Sequence, residues 1–275
     1  MSLGVGLIGC GAIGTVLACA IDSGQAGNTR LTIVYDRIKE KSNVLYRKLV
    51  CKPKVANSFE ELIACEDVDL IVEAASQEAV RAYALRVLRA GKDLMIMSVG
   101  ALVDSKLLEE IRGCAMESGK RVYIPSGAIA GLDGVKAAVI GKVESVTLTT
   151  RKPPEGFNDA PYVKEKDILL EKLNSPTLIY EGPASEACKL FPANVNVAAA
   201  LGLAGIGVEK TKVQIIADPS IKRNIHEVKV KGEFGELEVH AENVPLVDNP
   251  KTSRLAALSA IAVLKKISEP LTIGT

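Results

Sequence analysis

The chain has no tryptophan, four phenylalanines and only two histidines. Any chemistry that needs a proton-transfer group with an ordinary pKa near neutrality therefore has His226 and His240 to draw on. The six cysteines, at positions 10, 19, 51, 65, 114 and 188, form no C-x-x-C pair and no Cys/His cluster at zinc spacing. No metal site is expected, and the thiols read as mostly buried small hydrophobes in a reducing compartment, the cytoplasm. A formal net charge of +1 and the lack of any basic run interleaved with aromatics leave no footprint for nucleic acid or an anionic membrane surface. Residues 3–21 and 190–208 carry no charge over about the length of a bilayer span. The first is broken by glycines and has no basic residues before it, which also argues against an export signal. The second holds Pro192, Asn194, Asn196 and three glycines and reads as a helix buried inside a protein, so no membrane segment is expected.

What the chain does have begins at its amino end. An apolar strand pattern from Leu3 runs into Gly9-Cys10-Gly11-Ala12-Ile13-Gly14 and out into an apolar helix. In a G-x-G-x-x-G turn placed this way, Gly9 permits the tight exit from the strand, Gly11 lets backbone approach a pyrophosphate, and Gly14 lets the helix pack on the strand. The N–H groups of the first helical turn, at Ala12 and Ile13, and the positive end of the helix dipole then face the phosphates. Asp36 ends the run Leu31-Thr32-Ile33-Val34-Tyr35, at about the 20-residue spacing from which an acid accepts hydrogen bonds from the adenosine ribose. The competing reading is a ligand-free glycine turn with an N-capping aspartate; strand, turn, helix, second strand and acid in that order favour the dinucleotide. NAD is the expected cofactor, and Arg37, which could hold a 2′-phosphate, keeps NADP open.

Downstream, residues 68–73, 94–99 and 121–124 read as buried strands, and 37–48, 74–89 and 104–118 as helices. Ser58 with Glu61 makes a capping-box start between them. Such alternation with near-continuous apolar strands demands a parallel sheet covered on both faces, a Rossmann-type doubly wound domain over residues 1–130. Its ligand edge gathers the glycine turn, Ala74-Ala75-Ser76, Ser98-Val99-Gly100 and Pro125-Ser126-Gly127. From about Gly131 strands outnumber helices and alternate polar with apolar, at 145–151, 177–181, 211–217, 225–231 and 237–241, the last two flanking a Gly232-Glu233-Phe234-Gly235 hairpin. Residues 131–250 are expected to form an α+β catalytic domain with a mainly antiparallel sheet, interrupted by an apolar helix over 193–207. The terminal segment 251–275, with a helix over 253–266, is expected to return to the first domain.

Strand periodicity separates the two histidines. His226 shares its face with Val228 and Val230, whereas His240 shares its face with Glu236, Glu238 and Glu242. His226 therefore points inward and is the better acid/base candidate, against the bland reading of a satisfied core histidine. Asn194 and Asn196 are the polar side chains in the first turns of the apolar helix; Asn194 reads equally well as a cap, and Asn196 lies deeper and needs a buried partner. Lys152, before Pro153-Pro154, and Lys251 with Thr252 and Ser253 could hold carboxylates, with a solvated lysine and an ordinary N-cap as the defaults.

At Ser126-Gly127-Ala128-Ile129-Ala130-Gly131-Leu132-Asp133, Phe191-Pro192-Ala193-Asn194-Val195-Asn196-Val197-Ala198-Ala199, Asn224-Ile225-His226-Glu227-Val228 and Asn249-Pro250-Lys251-Thr252-Ser253, the chain resembles the L-aspartate dehydrogenase family. The resemblance runs over nearly the whole length. It implies that His226 is the catalytic histidine and that Ala130 and Asn196 contact the cofactor, alongside Gly9, Gly11, Ala12, Ile13, Gly14 and Asp36. It implies reversible oxidative deamination of L-aspartate with NAD or NADP, through iminoaspartate to oxaloacetate and ammonia, the imine being able to feed quinolinate and NAD synthesis. A homo-oligomer such as a dimer is the expected assembly. The alternatives are another two-domain reductase of amino-acid pathways, of the homoserine dehydrogenase or dihydrodipicolinate reductase type, and a protein that senses NAD(P) without chemistry.

Overall fold

The structure is a computed structural model that describes residues 2–192, 196–246 and 249–274, without the side chains of 249–251. The chain divides into two compact units, Met1–Pro125 with Ala257–Ile273, and Ser126–Ala256 with Gly274–Thr275.

The first unit alternates strands and helices: β1 (Leu3–Ile8), α1 (Ala12–Asp22), β2 (Thr29–Tyr35), α2 (Lys39–Lys48), β3 (Lys54–Val55), α3 (Phe59–Ile63), β4 (Leu70–Glu73), α4 (Gln77–Arg89), β5 (Asp93–Ile96), α5 (Ser105–Ser118) and β6 (Val122–Tyr123). The six strands lie in the order β3-β2-β1-β4-β5-β6, every pair parallel. The central strands are covered on both faces and so are nearly continuously buried: β1 from Gly4 to Ile8, and β4 at all four positions. Val5 and Leu7 of β1 pack with Leu17 and Ile21 of α1, Leu45 of α2, and Ala260 and Leu264 from the carboxyl-terminal helix.

Two helices start two or three residues later than periodicity predicts, each because an acidic side chain holds the preceding residues in a turn. Asp36 Oδ1 accepts the Ile38 N–H at 2.8 Å, so α2 begins at Lys39 rather than Arg37. Glu73 Oε1 accepts the N–H groups of Ala75 at 2.8 Å and Ser76 at 2.9 Å, and α4 begins at Gln77 rather than Ala74, with Ser76 as its N-cap. At α3, Ser58 Oγ accepts the Glu61 N–H at 3.2 Å, but the Glu61 carboxylate reaches the N–H of Asn57, one residue ahead of the N-cap.

The second unit holds α6 (Leu132–Ala138), β7 (Val143–Lys152), α7 (Pro161–Glu165), β8 (Thr177–Pro183), α8 (Ala184–Leu190), α9 (Asn196–Ala204), β9 (Lys212–Ala217), β10 (Asn224–Gly232), β11 (Gly235–Asn243), β12 (Pro245–Leu246) and β13 (Asn249–Ser253). Five strands lie in the order β11-β10-β7-β9-β8. All neighbours are antiparallel except β7 and β9, which run parallel, so the sheet is mixed. β10 and β11 close in register at Gly232 opposite Gly235. The short helices α6, α7 and α8 and the β12–β13 pair carry too few residues for a periodic signal, and β13 delays α10 (Arg254–Ser268) by one residue from Ser253. α9 is buried from Val197 through Gly202, as a helix apolar all round must be. Asn194 lies outside the described residues. Among the described residues no helix is long and apolar enough to cross a membrane.

Candidate active site

The glycine turn sits at the carboxyl end of β1. Gly9 has φ +95°, where a side chain would be strained, and a Cβ there would lie 2.6 Å from the carbonyl oxygen of Ala74. A Cβ on Gly14 would run into the Gly9 carbonyl, so this glycine is what lets α1 lie against the turn. Gly11 differs: nothing lies within 4 Å of its notional Cβ, and its backbone, at φ −79°, faces open space. That opening is part of a cleft lined by Gly9, Gly11, Asp36, Arg37, Lys41 and Ser76. Gly11 is the N-cap of α1 and brings no side chain to the first-turn N–H groups, which include those of Ala12 and Ile13. A bare helix start behind a glycine with free space in front fits a pyrophosphate, and the cleft carries both an acid for a ribose hydroxyl and two cations for a phosphate on it.

Asp36 does more than spacing alone indicates. Its Oδ2 accepts the Cys10 N–H at 2.9 Å while Oδ1 holds Ile38, so the acid ties the glycine turn to the start of the next loop. Cys10 is buried with its sulfur 3.5 Å from the Ser42 hydroxyl, and burial pushes its thiol up to about 11; at neutral pH it is a packing residue. Of the six cysteines, Cys10, Cys114 and Cys188 are buried, whereas Cys19 and Cys51 are exposed, which corrects the expectation that most are core residues. Glu73, not singled out from the sequence, is buried at the end of β4 and also accepts from the Ser98 N–H at 3.0 Å and hydroxyl at 2.9 Å. It thereby fastens the Ala74–Ser76 turn to the segment after β5.

In the second unit, His226 is 2 % exposed and its Nδ1 lies 3.1 Å from Thr150 Oγ1, its cross-strand neighbour on β7. His240 lies on the solvent side, its Nδ1 3.3 Å from Glu227. Burial, reinforced by the positive charge of Lys152, pushes the His226 imidazole down to about 3. The neutrality-centred pKa expected of this histidine is therefore corrected: at neutral pH it is an uncharged imidazole. Lys152 is not a solvated lysine either. It is 2 % exposed at the end of β7, and burial lowers its ammonium to about 8.

Around them, Asn224 donates to Ser253 Oγ at 3.2 Å, and Asn243, paired with Asn224, donates to the Ala128 carbonyl at 3.0 Å. The second bond pins the loop carrying Ala130 to the end of β11. Gly127 of that loop is close enough to α9 for a Cβ to meet Val197, the residue after Asn196. Ala130 is exposed, and Asn196 is half-buried rather than deep. The glycine turn and Asp36 belong to the first unit; Ala130, Asn196 and His226 belong to the second. Thr150, Lys152 and Asn224 were legible as a pattern: the buried face of β7 and β10 is apolar at Val146, Leu148, Val228 and Val230 and turns polar at Thr150, Lys152, Asn224 and His226.

Residues 133–267 match the family model described as aspartate dehydrogenase, C-terminal, and residues 9–125 match that of the homoserine dehydrogenase NAD binding domain. Over 271 residues the chain is 52 % identical to the L-aspartate dehydrogenase of Methanocella arvoryzae, covering 98 % of this chain and 99 % of that one. The chain belongs to the L-aspartate dehydrogenase family. A second member, from Methanosarcina acetivorans, is 52 % identical over 99 % of this chain and 100 % of its own length. The solved aspartate dehydrogenase from Thermotoga maritima superposes with a TM-score of 0.78 at 32 % identity, each chain covered in full. Within the family the first unit is the nicotinamide-dinucleotide module, and the carboxyl-terminal match separates the chain from the homoserine dehydrogenases that share that module.

Proposed function

We propose that the protein is an NAD(P)-dependent L-aspartate dehydrogenase that interconverts L-aspartate with oxaloacetate and ammonia through iminoaspartate. The observation that carries this reading is the buried His226, set in the polar end of an otherwise apolar sheet face, in a chain over half identical to L-aspartate dehydrogenases along its full length. When bound, the nicotinamide supplies the acceptor for the hydride leaving Cα of aspartate.

The protein's own residues do the rest. Backbone at Gly9, Gly11, Ala12, Ile13 and Gly14 receives the pyrophosphate, and Asp36 receives the ribose hydroxyls of NAD. Arg37 and Lys41 line the same cleft, so NADP is admitted as well, with NAD favoured by the carboxylate. Ala130 and Asn196 complete the cofactor contacts. His226, uncharged at neutral pH, accepts a proton from the water that adds to the imine carbon and passes it to the departing nitrogen, leaving oxaloacetate and ammonia. Thr150 holds the imidazole at Nδ1, which directs Nε2 to this work. The released iminoaspartate is a precursor for quinolinate and NAD synthesis, and the enzyme works in the cytoplasm as a homo-oligomer such as a dimer.

Oxidation of NADH and NADPH followed with oxaloacetate plus ammonia, with aspartate semialdehyde and with dihydrodipicolinate tests the reading. Turnover confined to the first mixture is the expected outcome. Turnover with either of the others, or none with any, overturns it.

A further inference from the structure

We infer that Glu78, in the first turn of α4, is the residue that turns the cofactor cleft against a 2′-phosphate and so sets a preference for NAD over NADP. The inference deepens the proposed function and rests on its reading of the glycine-turn cleft as a dinucleotide site. In the strand order β2-β1-β4 the glycine turn lies between two walls. Asp36, Arg37 and Lys41 follow β2 on one side, Ser76 and Glu78 follow β4 on the other, and all five line one cleft. Tyr83, further along α4 and also lining the cleft, meets Tyr35 at the end of β2 with ring centroids 6.4 Å apart, so the α4 wall comes within side-chain reach of β2.

The balance of charge across these walls decides what they accept. Among the described residues the charged side chains of the cleft are Asp36, Glu78, Arg37 and Lys41, so two acids offset two cations. Asp36 suits a ribose with a free 2′-hydroxyl, whereas Arg37 and Lys41 suit one that carries a phosphate. With Asp36 as its one acid, the cleft would offer that phosphate a surplus of positive charge. Glu78 removes the surplus.

Glu78 is also the better fixed of the opposed charges. It stands at the start of α4, where the helix dipole favours a carboxylate. Its own backbone N–H and then the Ser76 hydroxyl donate to the carboxylate and hold it below the usual carboxylate range, with Arg81 and, least of all, Arg37 adding attraction. Ser76 Oγ accepts the Ala79 N–H at 3.2 Å as the N-cap, which fixes the hydroxyl that holds Glu78. Arg37 and Lys41 are exposed, on long side chains that lose rotamer freedom in closing on a phosphate. A 2′-phosphate, with a charge of about −1.5 to −2 at pH 7, therefore meets a repulsion that a hydroxyl does not. Selectivity comes from penalising the wrong ligand as well as from holding the right one.

The test measures dissociation constants of NADH and NADPH, by nucleotide fluorescence, for the full-length protein and for Glu78→Gln and Glu78→Lys. The unaltered protein should bind NADH the more tightly. Glu78→Gln, which keeps an oxygen for the same donors, should tighten NADPH about fivefold or more and move NADH less than about twofold, the scale of an exposed charge acting on a phosphate. Glu78→Lys should tighten NADPH further. Because the effect is coulombic, the gain should shrink between about 0.05 M and about 1 M salt as the screening length falls. A helix-start carboxylate with no part in recognition would shift Tm and leave the ratio of NADPH to NADH affinity where it was. That unmoved ratio overturns the inference, as does a gain undiminished at high salt or an unaltered protein that binds NADPH the more tightly. If the unaltered protein binds neither nucleotide, the dinucleotide reading of the cleft fails and the inference with it. If it shows the Glu78-dependent shift yet turns over no oxaloacetate with ammonia, the dehydrogenase reading fails while the selectivity stands.

Discussion

His226 and Lys152 show what burial does to titration. A histidine whose folded-state pKa lies near 3 and whose unfolded value is 6.5 favours folding fully above 6.5 and loses that contribution as pH falls toward 3, because the unfolded chain takes up the proton first. His226→Asn should therefore flatten the acid limb of stability between pH 6.5 and 3 by a few kcal/mol at most, measured by denaturant unfolding across that range. The same substitution should lower turnover about 100-fold or more without changing cofactor affinity, and His240→Ala should change neither. Full turnover in His226→Asn would reduce the residue to a structural one. The profile of kcat/KM against pH should lack a limb near 6.5 that disappears with His226. For Lys152 the sign is the same, at higher pH. Its ammonium is lowered from 10.5 to about 8, so below pH 8 the folded state carries a penalty that fades as pH rises to 10.5. Lys152→Met should then raise Tm at pH 7, by at most the equivalent of roughly 3 kcal/mol, and the advantage should vanish near pH 10.5.

At the scale of the element, the glycine turn separates two kinds of glycine within one motif. Gly11 has ordinary dihedrals and empty space before it, so Gly11→Val should leave the fold intact, by circular dichroism and Tm, while abolishing NAD binding by calorimetry. Retained affinity would remove the dinucleotide reading of the cleft. Gly14→Ala places a methyl group against the Gly9 carbonyl and should lower stability itself, by roughly 1–3 kcal/mol as overpacking does. Asp36 spans both roles. Asp36→Ala deprives the Cys10 and Ile38 N–H groups of their acceptor, so both cofactors should bind more weakly, NAD more than NADP because only the unphosphorylated ribose offers it a 2′-hydroxyl. Equal losses would show that Asp36 serves the turn alone.

At the scale of the whole molecule, the chain's last helix belongs to its first unit. Ala260 and Leu264 are fully buried in the cluster that holds β1, β2 and α1 together. Removing residues 254–275 uncovers that apolar face, and the truncated protein should bind a hydrophobic dye and lose a single sharp thermal transition. A truncated chain with unaltered Tm would show that the helix only decorates the unit. This placement also means that the first unit is not a continuous stretch of sequence, and expressing residues 1–125 alone should give the same outcome as the truncation.

Several features could be read directly from the order of residues, because they depend on neighbours close in the chain. The G-x-G-x-x-G turn with Asp36, the parallel β-α alternation and the five strands of the second sheet are of this kind, as is the inward face of His226, which follows from the two-residue period of a strand. Helix starts at Lys39 and Gln77 were hidden because carboxylates at Asp36 and Glu73 hold the residues before them in turns, a choice local propensity does not record. The parallel pairing of β7 with β9 was decided by which apolar faces could be covered, whereas the return of α10 to the first unit was already expected from the sequence. The charge states of His226 and Lys152 belong to the tertiary structure alone. An imidazole and an ammonium have ordinary pKa values in any sequence, and only the packing that strips water from both, and brings one charge to bear on the other, moves them to about 3 and about 8.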